Sequence, residues 1–83
     1  MTYRVSILRR ALKELEQLPA EHYARVRDAI RHLASDPRPA GCLKLTAREG
    51  WRIRVGVYRV IYNIDDRQQL VTVLNIGHRR DIY

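Results

Sequence analysis

Tyr3, Val5 and Ile7 alternate with Arg4 and Ser6, the two-residue period of a strand with one buried face. At Leu8 the period lengthens. Leu8, Ala11, Leu12, Leu15 and Leu18 recur every three or four residues, which predicts an amphipathic helix that Pro19 ends. Tyr23, Val26, Ala29, Ile30 and Leu33 repeat that spacing, with Arg25, Arg27, Asp28 and Arg31 largely outside the stripe, so a second helix follows. The segment SDPRPAG, 35–41, stops it: each Pro disfavours the helical region for the residue before it, and Gly41 permits a sharp turn. Beyond this connector the period returns to two. A short strand is expected at 43–45, a strictly alternating one at 51–55, and two runs rich in Val, Ile and Tyr at 57–64 and 70–76, with Asp65, Asp66, Arg67 and Gln68 as the turn between them.

The order β, α, α, β, β, β predicts an α+β domain in which an N-terminal strand and a two-helix hairpin pack with a small antiparallel sheet. The helices cover one face and leave the other to solvent or a ligand. A chain of 83 residues has material for one core, so 1–83 is read as a single domain. No repeat or low-complexity tract interrupts it. The lone Cys42 cannot form an internal disulfide, and no Cys/His spacing offers a metal site, which points to a reducing compartment. No apolar run reaches the length of a signal peptide or membrane span, so the expected setting is soluble and cytoplasmic, with no membrane partner.

Charge changes this picture. Sixteen basic residues, fourteen Arg and two Lys, against nine acidic ones give a net charge of +7. The planar guanidinium fork matches phosphate oxygens and stacks on bases, so the balance favours nucleic acid or an acidic protein as partner. Arg52 and Arg54 lie on the opposite side of their strand from Trp51, Ile53 and Val55. If Gly56 and Val57 form a two-residue turn, Arg54 lies directly across from Arg59 and Arg52 across from Ile61. Like charges so placed cost roughly 0.2–1 kcal/mol, a sign that a bound phosphate reverses. Against this stands the ordinary role of Arg on a solvated strand face, where it blunts edge aggregation and covers apolar neighbours with its stem.

The run GHRRDIY adds His78, a proton carrier near neutral pH, with Arg79 and Arg80 as phosphate ligands and Tyr83 as a stacking ring. His22 and His32 lie ten apart on one helix and so are not an i, i+4 metal pair. Asp65 and Asp66 sit where turns favour Asp, and Ser6, Ser35 and Cys42 lack a nucleophile motif. A phosphate-directed activity without metal or other cofactor is the expectation.

These segments, RRALKELEQLP, LKLTAREGWRIRVGVYRVIYNI and the final GHRRDIY, together resemble the RelE/ParE superfamily of toxins over nearly the whole chain, above all its RelE branch. The resemblance implies a type II toxin that cleaves messenger RNA in the ribosomal A site. The RNA's own 2′-hydroxyl attacks the adjacent phosphate and leaves a 2′,3′-cyclic phosphate and a 5′-hydroxyl. Carried over by motif, Arg59 holds the scissile phosphate, Arg79 assists the leaving oxygen, Tyr83 stacks on or orients a base, and Lys44, Arg52 and Arg80 bind substrate. Arg54 stands where a Lys can serve as base in the family, but a guanidinium is a poor proton acceptor in water, and His78 is the expected general acid or base. The implied partners are a cognate antitoxin, in a toxin–antitoxin hetero-oligomer, and the ribosome with its message. Two alternatives carry other functions: a ParE-like poison of DNA gyrase sharing the fold without nuclease activity, and a binding module that represses its own operon.

Overall fold

The computed structural model describes residues 2–78. In chain order the elements are β1 (Arg4–Ile7), α1 (Arg9–Glu16), α2 (Ala20–His32), β2 (Leu43–Lys44), β3 (Trp51–Val55), β4 (Tyr58–Asp65) and β5 (Leu70–His78). The strands form one sheet in the order β1-β5-β4-β3-β2. Pro19 separates the helices, and its carbonyl accepts from the backbone N–H groups of His22 and Tyr23, both at 2.9 Å, which starts α2 without a side-chain cap.

Three of the strand pairs are antiparallel, as expected, but β1 lies parallel to β5, with Val5 opposite Val71 and Ile7 opposite Val73. The sheet is therefore mixed. The antiparallel helices return the chain to the end of the sheet where β1 finished, so β2 runs against β1. The reversals into β3, β4 and β5 then leave the last strand parallel to the first.

The helices bury Ala11, Leu15, Val26 and Ile30 against one side of the sheet, where Ile53, Val60, Tyr62, Val71, Val73 and Ile76 complete the core. Val73 and Ile76 are three apart and cannot both face the helices in a regular strand. A register shift at Ile61/Tyr62 resolves this, since Ile61 pairs with Asn75 whereas Tyr62 pairs with Val73. The extra residue, Leu74, restarts the alternation half a period out of step, as a β-bulge does. Asn75 is thereby turned to the open face beside Ile61, and Ile76 and His78 to the helix face.

The β3–β4 turn is the two-residue connection expected: Arg54 pairs with Arg59 and Arg52 with Ile61. Gly56, at φ +62°, supplies the left-handed residue such a turn needs. Gly50, at φ +132°, precedes β3 where a Cβ would stand 3.1 Å from the Tyr62 carbonyl oxygen, so only Gly lets the chain enter the sheet there.

The connector 35–41 is tied down by polar groups that its Pro-rich composition does not announce. The Tyr62 hydroxyl donates to the Pro37 carbonyl at 2.7 Å, and burial pushes that phenol well above its usual range. The Arg38 guanidinium lies 5.0 Å from the centre of the Trp51 ring and donates through both Nη atoms to the Asp66 carboxylate, at 3.2 and 2.8 Å. Tyr3 Oη donates to Asp66 Oδ1 at 2.6 Å. Asp66 thus joins the connector, the β4–β5 turn and the residue leading into the N-terminal strand, a role beyond the turn position read from the sequence.

The hydrogen bonds from Arg38, then Tyr3, lower the Asp66 carboxyl from 3.8 to about 2. A carboxylate whose folded pKa is depressed adds stability above its unfolded pKa and loses it as pH falls through the folded value. The window is therefore about pH 4 to 2. In urea unfolding, the drop in midpoint between pH 6 and pH 2.5 is expected to be smaller in Asp66→Asn than in the native chain, and an equal drop in both would count against this tie.

Candidate phosphate-binding site on the open face of the sheet

Alternation along β3 and β4 sets Arg52, Arg54, Arg59 and Ile61 on the side of the sheet away from the core residues Ile53, Val60 and Tyr62. Arg54 is exposed, whereas Arg52 and Arg59 are half-buried and Arg59 Nε is shielded from solvent. Gly77 lies opposite Arg59 on β5, so no side chain from that position stands beneath the guanidinium. The stem of Arg59 is embedded in the sheet while its pairing partner on β3 is wet, an arrangement that presents two cations toward one open surface.

Beside them a hollow of about 560 Å³ opens on the same face, lined by Arg10, Lys44, Arg48 and Arg52 together with Leu43, Leu45, Ile61 and Asn75. Among the described residues, no carboxylate contributes to its lining. A second hollow, of about 530 Å³, follows the edge of β3 between the connector and the end of α2 and shares Arg52 with the first, adding Arg54 and His32. Arg52 therefore borders both, and basic side chains run from the open face around the edge of β3. Such a surface attracts phosphodiesters and acidic protein segments through the same charges.

Four of the residues selected from sequence, Lys44, Arg52, Arg54 and Arg59, thus contribute to this face and its hollows. His78 does not share it. It pairs with Tyr58 and faces the helix side, its ring 6.0 Å from the Tyr58 ring, which in turn meets His22 of α2 at 5.1 Å, both contacts edge-on. The bulge accounts for this placement. His78 and Arg59 nevertheless occupy neighbouring pairs at the same end of the sheet, Tyr58 with His78 and Arg59 with Gly77. Arg79, Arg80 and Tyr83 lie outside the described residues.

Sequence reasoning missed Arg10, Arg48 and Asn75. Arg10 is on α1, and with the Asn75 amide oriented oxygen toward it, Arg10 Nη2 and Nε donate to Asn75 Oδ1 at 2.7 and 3.2 Å. Next along β5, the Ile76 N–H donates to Glu14 Oε1 of α1 at 2.9 Å, fastening the helix to the strand at the bulge. The signal for Asn75 was an amide side chain in the otherwise mostly apolar run LVTVLNI, but alternation assigns it to the wrong face. Among the described residues no group of His, Cys, Asp or Glu is arranged to hold a metal ion, and no helix is long and apolar enough to cross a membrane.

Residues 5–83 match the family described as ParE toxin of type II toxin-antitoxin system, parDE. Toxin RelG of Mycobacterium tuberculosis is 34% identical over 85 residues, an alignment that takes in the whole of this chain and 98% of that protein. The putative toxin RelE1 of Methanocaldococcus jannaschii is 29% identical over 89 residues, covering the whole of this chain and 97% of its own length. Among solved structures, the archaeal RelE–RelB complex from Pyrococcus horikoshii OT3 contains a chain that superposes with a TM-score of 0.82 at 32% identity, over 98% of this chain and 99% of that one.

Proposed function

Because the chain belongs to the RelE/ParE family of type II toxins, we propose that it is a ribosome-dependent endoribonuclease that cuts messenger RNA in the ribosomal A site. The observation that carries this reading is the Arg54–Arg59 cross-strand pair on the open face. The register brings two Arg side chains to one face of the sheet, and an anion bound between them offsets the cost of like charges across strands, an arrangement suited to a phosphodiester whose charge grows during in-line attack.

In the proposed reaction the 2′-oxygen bonds to phosphorus as the bond to the 5′-oxygen breaks. The 2′-hydroxyl proton goes to a base and the 5′-oxygen takes one from an acid. Arg59, stiffened by its half-buried stem, holds the non-bridging oxygens, and Arg54 and Arg52 neutralise the phosphates beside them. A guanidinium is a poor proton carrier, so His78 is proposed for that task, reaching the substrate around the end of the sheet where β5 finishes. Arg79, Arg80 and Tyr83 are proposed as its further ligands. General acid–base help is worth about 10²–10⁴-fold, while correct in-line placement of the 2′-hydroxyl can contribute more. The ribosome is proposed to hold the message in that geometry, so free RNA is expected to be a poor substrate. A cognate antitoxin, of the kind RelB represents in the Pyrococcus horikoshii complex, is proposed to mask the basic face in a hetero-oligomer in the cytoplasm.

The test is to add the purified protein to a translating extract and map new 5′ ends on the message. Codon-positioned breaks support the reading, while an intact message together with inhibited DNA supercoiling replaces it with gyrase poisoning. His78→Gln is expected to slow cleavage by about 10²-fold or more. An unchanged rate removes His78 from proton transfer and leaves the Arg residues in place.

A further inference from the structure

We propose that the hollow beside Arg10 and Asn75 is a nucleobase pocket that selects guanine. Its use in the toxin's action rests on the RNA-cleaving reading above; its binding chemistry stands on the geometry alone. With Asn75 Oδ1 occupied by Arg10 Nη2 and Nε, what these two lining residues have left to offer a ligand is N–H groups: the Nδ2 hydrogens of Asn75 and the remaining hydrogens of the Arg10 guanidinium. The wall is composed of donors. Guanine carries two neighbouring acceptors, N7 and O6, on one edge, whereas adenine and cytosine set an amino donor there and uracil offers O4 alone beside its methine edge.

The rest of the hollow suits a ring. Ile61, 5% exposed and paired with Asn75, forms an apolar floor, and Leu43 and Leu45 stand at the side, Leu43 being 53% exposed with no core to cover. Apolar contact on the faces and hydrogen bonds on the edge are how splayed-out RNA bases are read. The volume of about 560 Å³ accommodates a nucleotide, and Arg48, also in the lining, is a cation that can meet its phosphate. A bare phosphate site has no use for the leucine and isoleucine surface. Arg52 borders this hollow and belongs to the face of the Arg54–Arg59 pair, so the selected guanine belongs to a nucleotide adjoining the linkage to be cut.

Isotope-labelled full-length protein titrated separately with GMP, AMP and ribose 5-phosphate tests the pocket directly by NMR. GMP is expected to bind at least about tenfold more tightly than AMP, within the range of discrimination expected of a two-point edge contact, and to shift the Asn75 side-chain amide signals. Ribose 5-phosphate is expected to leave those signals in place. Asn75→Asp keeps the shape and the Arg10 contact while removing the Nδ2 donors, and is expected to lose the preference for GMP with its amide spectrum otherwise folded. Equal affinity for GMP and AMP, or equal shifts with ribose 5-phosphate, overturns the proposal. Mapped breaks in a translating extract provide the second arm. Enrichment of G at one fixed position beside the cut, lost in Asn75→Asp, supports the pocket, and breaks indifferent to G overturn it while leaving the nuclease reading intact. If no breaks form at all, the nuclease reading falls and the GMP titration alone decides the pocket.

Discussion

Replacing Arg59 with alanine is expected to reduce message cleavage in a translating extract by about 10²–10³-fold, the usual loss when one fixed donor to a developing phosphate charge is removed. The size of the effect follows from its setting. Arg59 is half-buried in the sheet with Nε shielded and Gly77 opposite, so its guanidinium is oriented before substrate arrives. Arg54, its exposed partner, is freer and more screened by solvent, and Arg54→Ala is expected to cost less. Arg59→Lys separates charge from geometry: a point charge on a flexible stem retains attraction but loses the planar fork, so an intermediate rate is expected. Thermal unfolding of each variant distinguishes lost chemistry from lost structure. An Arg59→Ala protein that is folded and cuts at the native rate removes the cross-strand pair from the mechanism.

The largest effect on stability is expected at Tyr62. Its ring is completely buried among core residues of both helices and four strands, and its hydroxyl reaches the connector at the Pro37 carbonyl. Tyr62→Ala is expected to destabilise the fold by about 3–5 kcal/mol, the range for truncating a buried aromatic side chain. A domain of this size has about 5–15 kcal/mol in all, so the variant is expected to be partly unfolded at 37 °C. Tyr62→Phe keeps the ring and removes only the hydroxyl, leaving the Pro37 carbonyl to find water, at a cost of about 1–3 kcal/mol. Urea unfolding followed by tryptophan fluorescence measures both, since Trp51 packs in the same region under Arg38. A loss below about 1 kcal/mol for the alanine variant contradicts the packing described.

These two residues illustrate different routes from sequence to structure. The Arg54–Arg59 pair was legible because three local facts suffice: strict alternation in WRIRV, a Gly where a two-residue turn needs one, and Val, Ile and Tyr resuming immediately after it. The docking of the connector by Tyr62 was not legible, because Pro37 and Tyr62 are 25 residues apart and nothing in either neighbourhood announces the other. The same holds for the bond from Arg38 to Asp66, which turned an ordinary turn residue into a tie between three segments.

The sequence by itself determined the periods, and with them the number and order of the elements, the helix-breaking connector, the tight hairpin and the cationic character of one sheet face. Each depends on neighbours within a few positions, where backbone sterics and side-chain alternation leave little choice. The tertiary structure alone decided that β1 lies parallel to β5, that Arg10 of a helix meets Asn75 of a strand, and that His78 faces the helices rather than Arg59. The last two follow from the single extra residue at Leu74. A bulge is set by the packing demand that both Val73 and Ile76 be buried under the helices, and that demand exists only once the sheet and helices have met.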